Sequence, residues 1–389
     1  MEICKNIFER MYVLHQCINL SDGKRNYFNL VVKRVFGIVL CMTRARNEIV
    51  DPAVTPYYHC ISRCVRRAYL CGFDQLTQKN FDHRKTWIVN RLALLSHTFA
   101  LEVCAYAVMS NHMHCLVRLN LQQAQAWSEY EVVVRWNKLY SIPTLVQQYQ
   151  KGECNQAEAR QARQTIEVWR DRLASLSWFM RCLNEYIARL ANQEDECTGK
   201  FWEGRFKSQA LLDEAAVLTC MSYIDLNPIR AGEADQLETS NYTSIQQRLY
   251  EYANKQVNTS IEQQSNKILQ PSPMLLKVKL MPLVELDQDS HHNSLGFTAR
   301  DYLELVDWAG RGVREDKSGS IAQESSPILE RLALDAETFI LHMAGKHGKA
   351  LIESPIALGV LKRLKQFAQR LGTKFVRYQG IAPGLYRMT

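Results

Sequence analysis

Apolar positions in this chain fall into two periods. The runs Val103 to Met109 and Cys115 to Leu119 are apolar almost throughout, so Leu101 to Met109 and His112 to Leu119 read as two buried strands. YYHCISR at Tyr57 to Arg63 reads as a third. Between them Phe81, Trp87, Ile88, Leu92, Leu95 and Phe99 recur at helical spacing, which predicts a helix over about 80–99 that packs on the core. More helices follow from Gln123, and 141–171, rich in Gln, Glu and Arg, reads as a solvated helical insertion. Asp213 is placed to cap a helix carrying Ala216, Val217, Cys220, Met221 and Ile224 and ended by Pro228. Interleaved strands and helices of this kind predict an α+β domain, a sheet with helices on one face.

Beyond Glu251 the pattern changes. Residues 251–294 are rich in Asn, Gln and Ser and broken by Pro271, Pro273 and Pro282, which predicts a polar linker laid partly on the surface. A separate, all-helical unit is expected over 295–389. Thr298 opens one helix running to Gly310, Ser326 and Pro327 another, and Ser354 and Pro355 a third that ends at Gly372. The cations Lys362, Arg363, Lys365 and Arg370 read as its solvated face, and His291 and His292 as non-ligands in a polar stretch. Residues 1–51 read as an N-terminal extension. MTRARNEIV, from Met42, looks like a natural beginning, so 1–41 reads as an upstream extension or a mis-assigned start. The apolar run Val35 to Met42 lies too far from Met1 for a signal peptide, and no stretch is apolar over the 18 or so residues that span a bilayer.

Composition narrows the class only a little. A chain of 389 residues exceeds one small core, and its net charge of +8 suits an anionic partner. Its 12 cysteines show no repeated CxxC spacing, which points to reduced thiols rather than a disulfide framework. Cys60, Cys64 and Cys71 match no common zinc pattern and read as core residues.

The chemistry concentrates in two segments, SNHMHCLVRL at Ser110 to Leu119 and MSYIDLNPIRAG at Met221 to Gly232. Residues two apart on a strand share a face, so His112 and His114 can present two imidazoles to one metal ion. An HxH triplet alone also fits, and fits better, a pair of ordinary strand histidines. Tyr223 and Asn227 lie four apart on the later helix, so phenol and carboxamide can reach the same ion, although Asn227 precedes proline and is pushed from the α region. KFWEGRFK interleaves Lys200, Arg205 and Lys207 with Phe201, Trp202 and Phe206, which suits gripping phosphates and stacking bases, or anchoring a loop beneath the helix. Arg63, Arg66 and Arg67 follow the first strand as further phosphate contacts or plain charged turn residues.

In these segments, with YYHCISR, YAVMSNHMHCLVRL, GKFWEGRFKSQALL and YIDLNPIRAG in that order, the chain resembles the REP-associated tyrosine transposases, a single-tyrosine branch of the HUH transposases. The resemblance spans about 52–250. It implies a ferredoxin-like antiparallel sheet, Tyr223 as nucleophile, His112, His114 and Asn227 as ligands of Mg²⁺ or Mn²⁺, and single-stranded hairpin DNA as partner. It also implies a bacterial cytoplasmic, nucleoid-associated location and no membrane partner. Two rivals remain, a domesticated protein that binds the hairpins without cutting and a zinc hydrolase with a water nucleophile. For 295–389 the expectations are recognition of double-stranded flanks or homodimerisation.

Overall fold

A computed structural model describes residues 49–65, 71–74, 78–260, 276–284, 294–313 and 356–373, with single positions 329, 334, 335, 338, 339, 343 and 376. Most of the expected N-terminal extension, together with Arg66, Arg67, His291 and His292, lies outside the described residues. In chain order the elements are β1 (Tyr57–Arg63), β2 (Phe73–Asp74), β3 (Lys79–Asn80), α1 (His83–Thr98), β4 (Leu101–Val108), β5 (His112–Leu119) and α2 (Leu121–Ala126). Next come α3 (Glu129–Asn137), α4 (Thr144–Lys151), α5 (Gln156–Leu173), α6 (Leu176–Glu194), β6 (Lys207–Leu211), α7 (Glu214–Asp225) and the single turn α8 (Asn227–Arg230). The remainder are α9 (Ser244–Ser260), β7 (Leu283–Val284), β8 (Leu295–Thr298), α10 (Ala299–Val313), β9 (Ala357–Leu358) and α11 (Leu361–Arg370).

The fold is α+β, built on a five-stranded sheet in the order β4-β5-β1-β6-β9. Its pairings are antiparallel except the last, where β9 runs parallel to β6. Paired residues in an antiparallel ladder share a face, so the register fixes what neighbours what. Ile61 pairs with both His114 and Lys207, and Arg63 pairs with His112. His59, Ile61, Arg63, His112, His114, Lys207 and Gln209 therefore stand on one face. Tyr58, Cys60 and Ser62 stand on the other.

Helices cover both faces, not one as expected. Ser62 bonds Asn184 of α6 on one side at 3.2 Å, while the ring of His114 meets Tyr223 of α7 on the other. With neither face left to water, β1 and β5 are buried along nearly their whole length, the reason they read as continuous apolar runs rather than alternating ones. The insertion is helical as expected but carries a core of its own. Ala162, Ile166, Trp169 and Leu173 form a buried stripe on α5, and Trp169 stacks on Trp136 of α3 at 5.1 Å and 3°.

The C-terminal region is not all-helical, and all described residues belong to one unit, Ile49–Thr389. β8 pairs with β7, and β9 joins the main sheet. The part of the expected linker over 276–284 also packs: Met281 donates its backbone N–H to Val103 O at 2.7 Å along the outer edge of β4, and Val278 and Met281 are buried. Proline and polar composition mark 251–294 as irregular, but the free edge of β4 offers backbone partners that an apolar pair can use. Helix α10 runs close over the end of α7. A Cβ on Gly310 would come within 3.0 Å of Leu226 Cδ2, and Tyr302 donates its hydroxyl to Asp225 at 2.5 Å. Among the described residues no helix is long and apolar enough to cross a membrane.

Candidate active site

β5 carries His112 and His114 to the face that α7 covers. Asp213 starts α7 where it must start, since its Oδ1 accepts the backbone N–H of Ala216 at 2.8 Å, while its Oδ2 takes the N–H of Val360 at 2.7 Å. From that origin Tyr223 falls over β5. Its ring lies edge-on to His114 with 6.0 Å between centroids, and His112 and His114 sit edge-to-face at 4.8 Å. Two histidines and the tyrosine, 109 positions apart in sequence counting from His114, thus come together as the two segments suggested.

A third histidine joins them. Nε2 of His59 lies 2.9 Å from Nδ1 of His114, the two rings stack at 5.1 Å and 13°, and Gln209 Oε1 lies 3.4 Å from Nδ1 of His59. Burial first, and then the neighbouring His112, His59, Arg230 and Arg63, hold the His114 pKa well below its ordinary value, so the ring is neutral. An assignment consistent with these contacts has His59 Nδ1–H donating to Gln209 and His114 Nδ1–H donating to His59 Nε2. In that arrangement Nε2 is the atom of His114 that would meet a metal ion. His112 is set the same way, with Asn111 Oδ1 2.5 Å from its Nδ1. Imidazoles whose Nδ1 is held by an outer partner are oriented to meet a divalent ion through Nε2. His59 was not singled out in the sequence because only the β1–β5 register brings it to His114. If it fixes that tautomer, His59→Phe weakens Mn²⁺ binding by roughly 10- to 100-fold with the fold intact; unchanged affinity by calorimetry would remove His59 from this role.

Asn227 does not lie free to complete the set. It is buried, and its Oδ1 accepts Nη2–H of Arg230 at 2.6 Å. The same guanidinium lies over the Tyr223 ring, 3.8 Å from its centroid, and its Nη1 reaches Met343 O at 3.5 Å. Proline at 228 opens the single turn α8 and brings Arg230 back over Tyr223. Among the described residues no three His, Cys, Asp or Glu side chains converge as a ready metal cage. The donors that fit a divalent cation are the two imidazoles, with the third position left to an oxygen.

The other expected contacts separate by chemistry. Phe201 is buried and Trp202 gives its indole N–H to Asn184 O at 2.9 Å, so both rings anchor the loop against α6; Phe201 in particular has no face to offer a base. Backbone bonds from Val65 to Phe201 O and from Glu203 to Arg63 O tie this loop to the end of β1. Lys200, Arg205 and Lys207 are exposed. Lys207 stands on the same face and in the same row as His114, two strands away, or about 10 Å. Arg63 stands beside His112.

No protein-family model matches the chain, and no curated protein matches it. A solved structure of a REP-associated tyrosine transposase bound to a REP hairpin is similar to it at 12% identity, over 50% of this chain and 78% of that chain, with a TM-score of 0.30. A likeness at that score carries no argument about the site, which stands on its own geometry.

Proposed function

We propose that the chain is a metal-assisted enzyme that nicks and rejoins single-stranded DNA by attack of Tyr223 on a phosphodiester, with hairpin DNA as substrate. The observation that carries this is the tyrosine set edge-on to His114, one of two adjacent histidines whose Nδ1 atoms are both engaged. A phenol near its reference pKa of about 10 is almost entirely protonated at pH 7, a deficit of roughly 4 kcal/mol for the phenolate. A divalent ion held by His112 and His114 would supply charge neutralisation and polarisation of the scissile phosphate. The chain's own groups do the rest. His59 and Asn111 hold the imidazoles in the ligating tautomer, and Arg63 and Arg230, both close enough to depress His114, add cationic charge for an anionic substrate. The phenol oxygen bonds to phosphorus, the P–O3′ bond breaks, and the departing oxygen takes a proton to leave a 3′-hydroxyl. The phosphotyrosine keeps the bond energy, so another 3′-hydroxyl can reverse the step and join a second strand.

Labelled palindromic single strands incubated with the protein and Mg²⁺ or Mn²⁺ should give a covalent species on a denaturing gel, lost on chelation. Tight binding without any adduct, on both strands and with both ions, would favour a DNA-binding protein that does not cut. The exposed cations set a second expectation. Replacing Lys200, Arg205 and Lys207 together by Ala lowers the slope of log K against log salt by about 2, at roughly 0.7 per phosphate on a single strand. An unchanged slope in a filter-binding titration would place the DNA elsewhere.

A further inference from the structure

With Tyr223 as nucleophile and His112 and His114 as cation ligands, the function proposed above on which this inference rests, Arg230 stands in the way. Tyr223 is fully buried, and the Arg230 guanidinium lies over its ring. The Asn227 oxygen, four residues after Tyr223, is already taken by Arg230. Because a guanidinium only donates, Oδ1 must face it and Nδ2 must face away, and that buried Nδ2 has no partner among the described residues. A buried donor left without an acceptor is costly, so the carboxamide is poised for an oxygen that the protein does not supply. Oδ1 cannot join a divalent ion while it holds Arg230 without placing two cations a few ångströms apart. A phosphodiester removes both conflicts. It offers the planar guanidinium two anionic oxygens to bind together and offers Nδ2 an acceptor.

We propose that Arg230 is a positioning residue that latches the site at rest, covering Tyr223 and occupying Asn227, and that the substrate phosphate draws it off both. Cation and single strand then bind cooperatively, each favouring the unlatched arrangement. Mn²⁺ affinity in the absence of DNA tests this, read from the free-ion signal by electron paramagnetic resonance. Arg230→Met, which keeps the apolar stem, should bind Mn²⁺ about tenfold or more tightly than the unaltered protein, and adding Asn227→Ala should cancel the gain. Arg230→Lys, which keeps the charge without the planar fork, should show a smaller gain and serves if Arg230→Met does not fold. Equal or weaker Mn²⁺ binding by a folded Arg230 variant, beside measurable binding by the unaltered protein, overturns the latch and leaves the histidine site standing. No Mn²⁺ binding by any of the proteins overturns both.

Discussion

On the proposed mechanism, Tyr223→Phe should retain DNA binding within a few-fold and lower strand cleavage by about a thousandfold or more, with no covalent product at any metal concentration. Phenylalanine keeps the ring and loses one oxygen. The edge contact with His114 and the Arg230 guanidinium over the ring both survive, so the variant folds and presents the same charge to the substrate. What it cannot do is bond to phosphorus. The outcome discriminates sharply between the mechanisms. A water nucleophile held by the histidine pair would leave the variant cutting at near the original rate, and hydrolysis products without an adduct in Tyr223→Phe would sink the tyrosine mechanism. Binding, cleavage and adduct measured on one gel separate these cases.

Asp225→Asn should remove a pH dependence of stability worth about 3 kcal/mol. Asp225 lies two residues after Tyr223, fully buried, where Ser244 Oγ donates to Oδ1 at 2.6 Å and the Tyr302 hydroxyl donates to Oδ2 at 2.5 Å. Burial outweighs these donors and the nearby Arg248, and pushes its pKa up from 3.8 to about 6. A raised value means that the folded state holds the proton more tightly than the unfolded one. The stability from this group is therefore fully present below the unfolded value and is lost as pH rises through the folded one. Two pKa units correspond to about 3 kcal/mol. An asparagine does not titrate, and both hydroxyls can turn to suit it. Between pH 3 and pH 7 the stability of Asp225→Asn relative to the unaltered protein should rise by about that amount in urea unfolding. A constant difference across the range would mean that Asp225 titrates as it does in the unfolded chain.

Local pattern carried much of this fold, and pairing carried the rest. The strands β1 and β5 run over the residues their apolar character predicted, and α1 lies within its predicted span, because each is fixed by a short window. Helices on both faces went unread, since a strand buried on both sides does not say what covers it. The stripe at Ala162, Ile166, Trp169 and Leu173 was present in the sequence at helical spacing, hidden by the Gln, Glu and Arg around it. At the site, His112, His114 and Tyr223 were legible because each pair is set by one element or one motif. His59 and Gln209 were not, because their relation to His114 exists only in the strand register. Arg230 sits one turn from Asn227 and so was within reach of the spacing rule that paired Asn227 with Tyr223. That it would hold the carboxamide oxygen depends on how the chain turns at Pro228.

The two residues of β9 have an effect out of proportion to their length. β6 would otherwise end the sheet, and an uncovered edge is a template for any extended chain that meets it. The backbone N–H groups of Ala210 and Leu212 instead donate to Ile356 and Leu358. A fragment cut before residue 356 would keep every group proposed for catalysis and still bare that edge, inviting copies of the sheet to join end on through β6. The β9 pairing thus closes the β6 edge, and residues 49–260 do not make a sheet with both edges covered once 356–358 are removed.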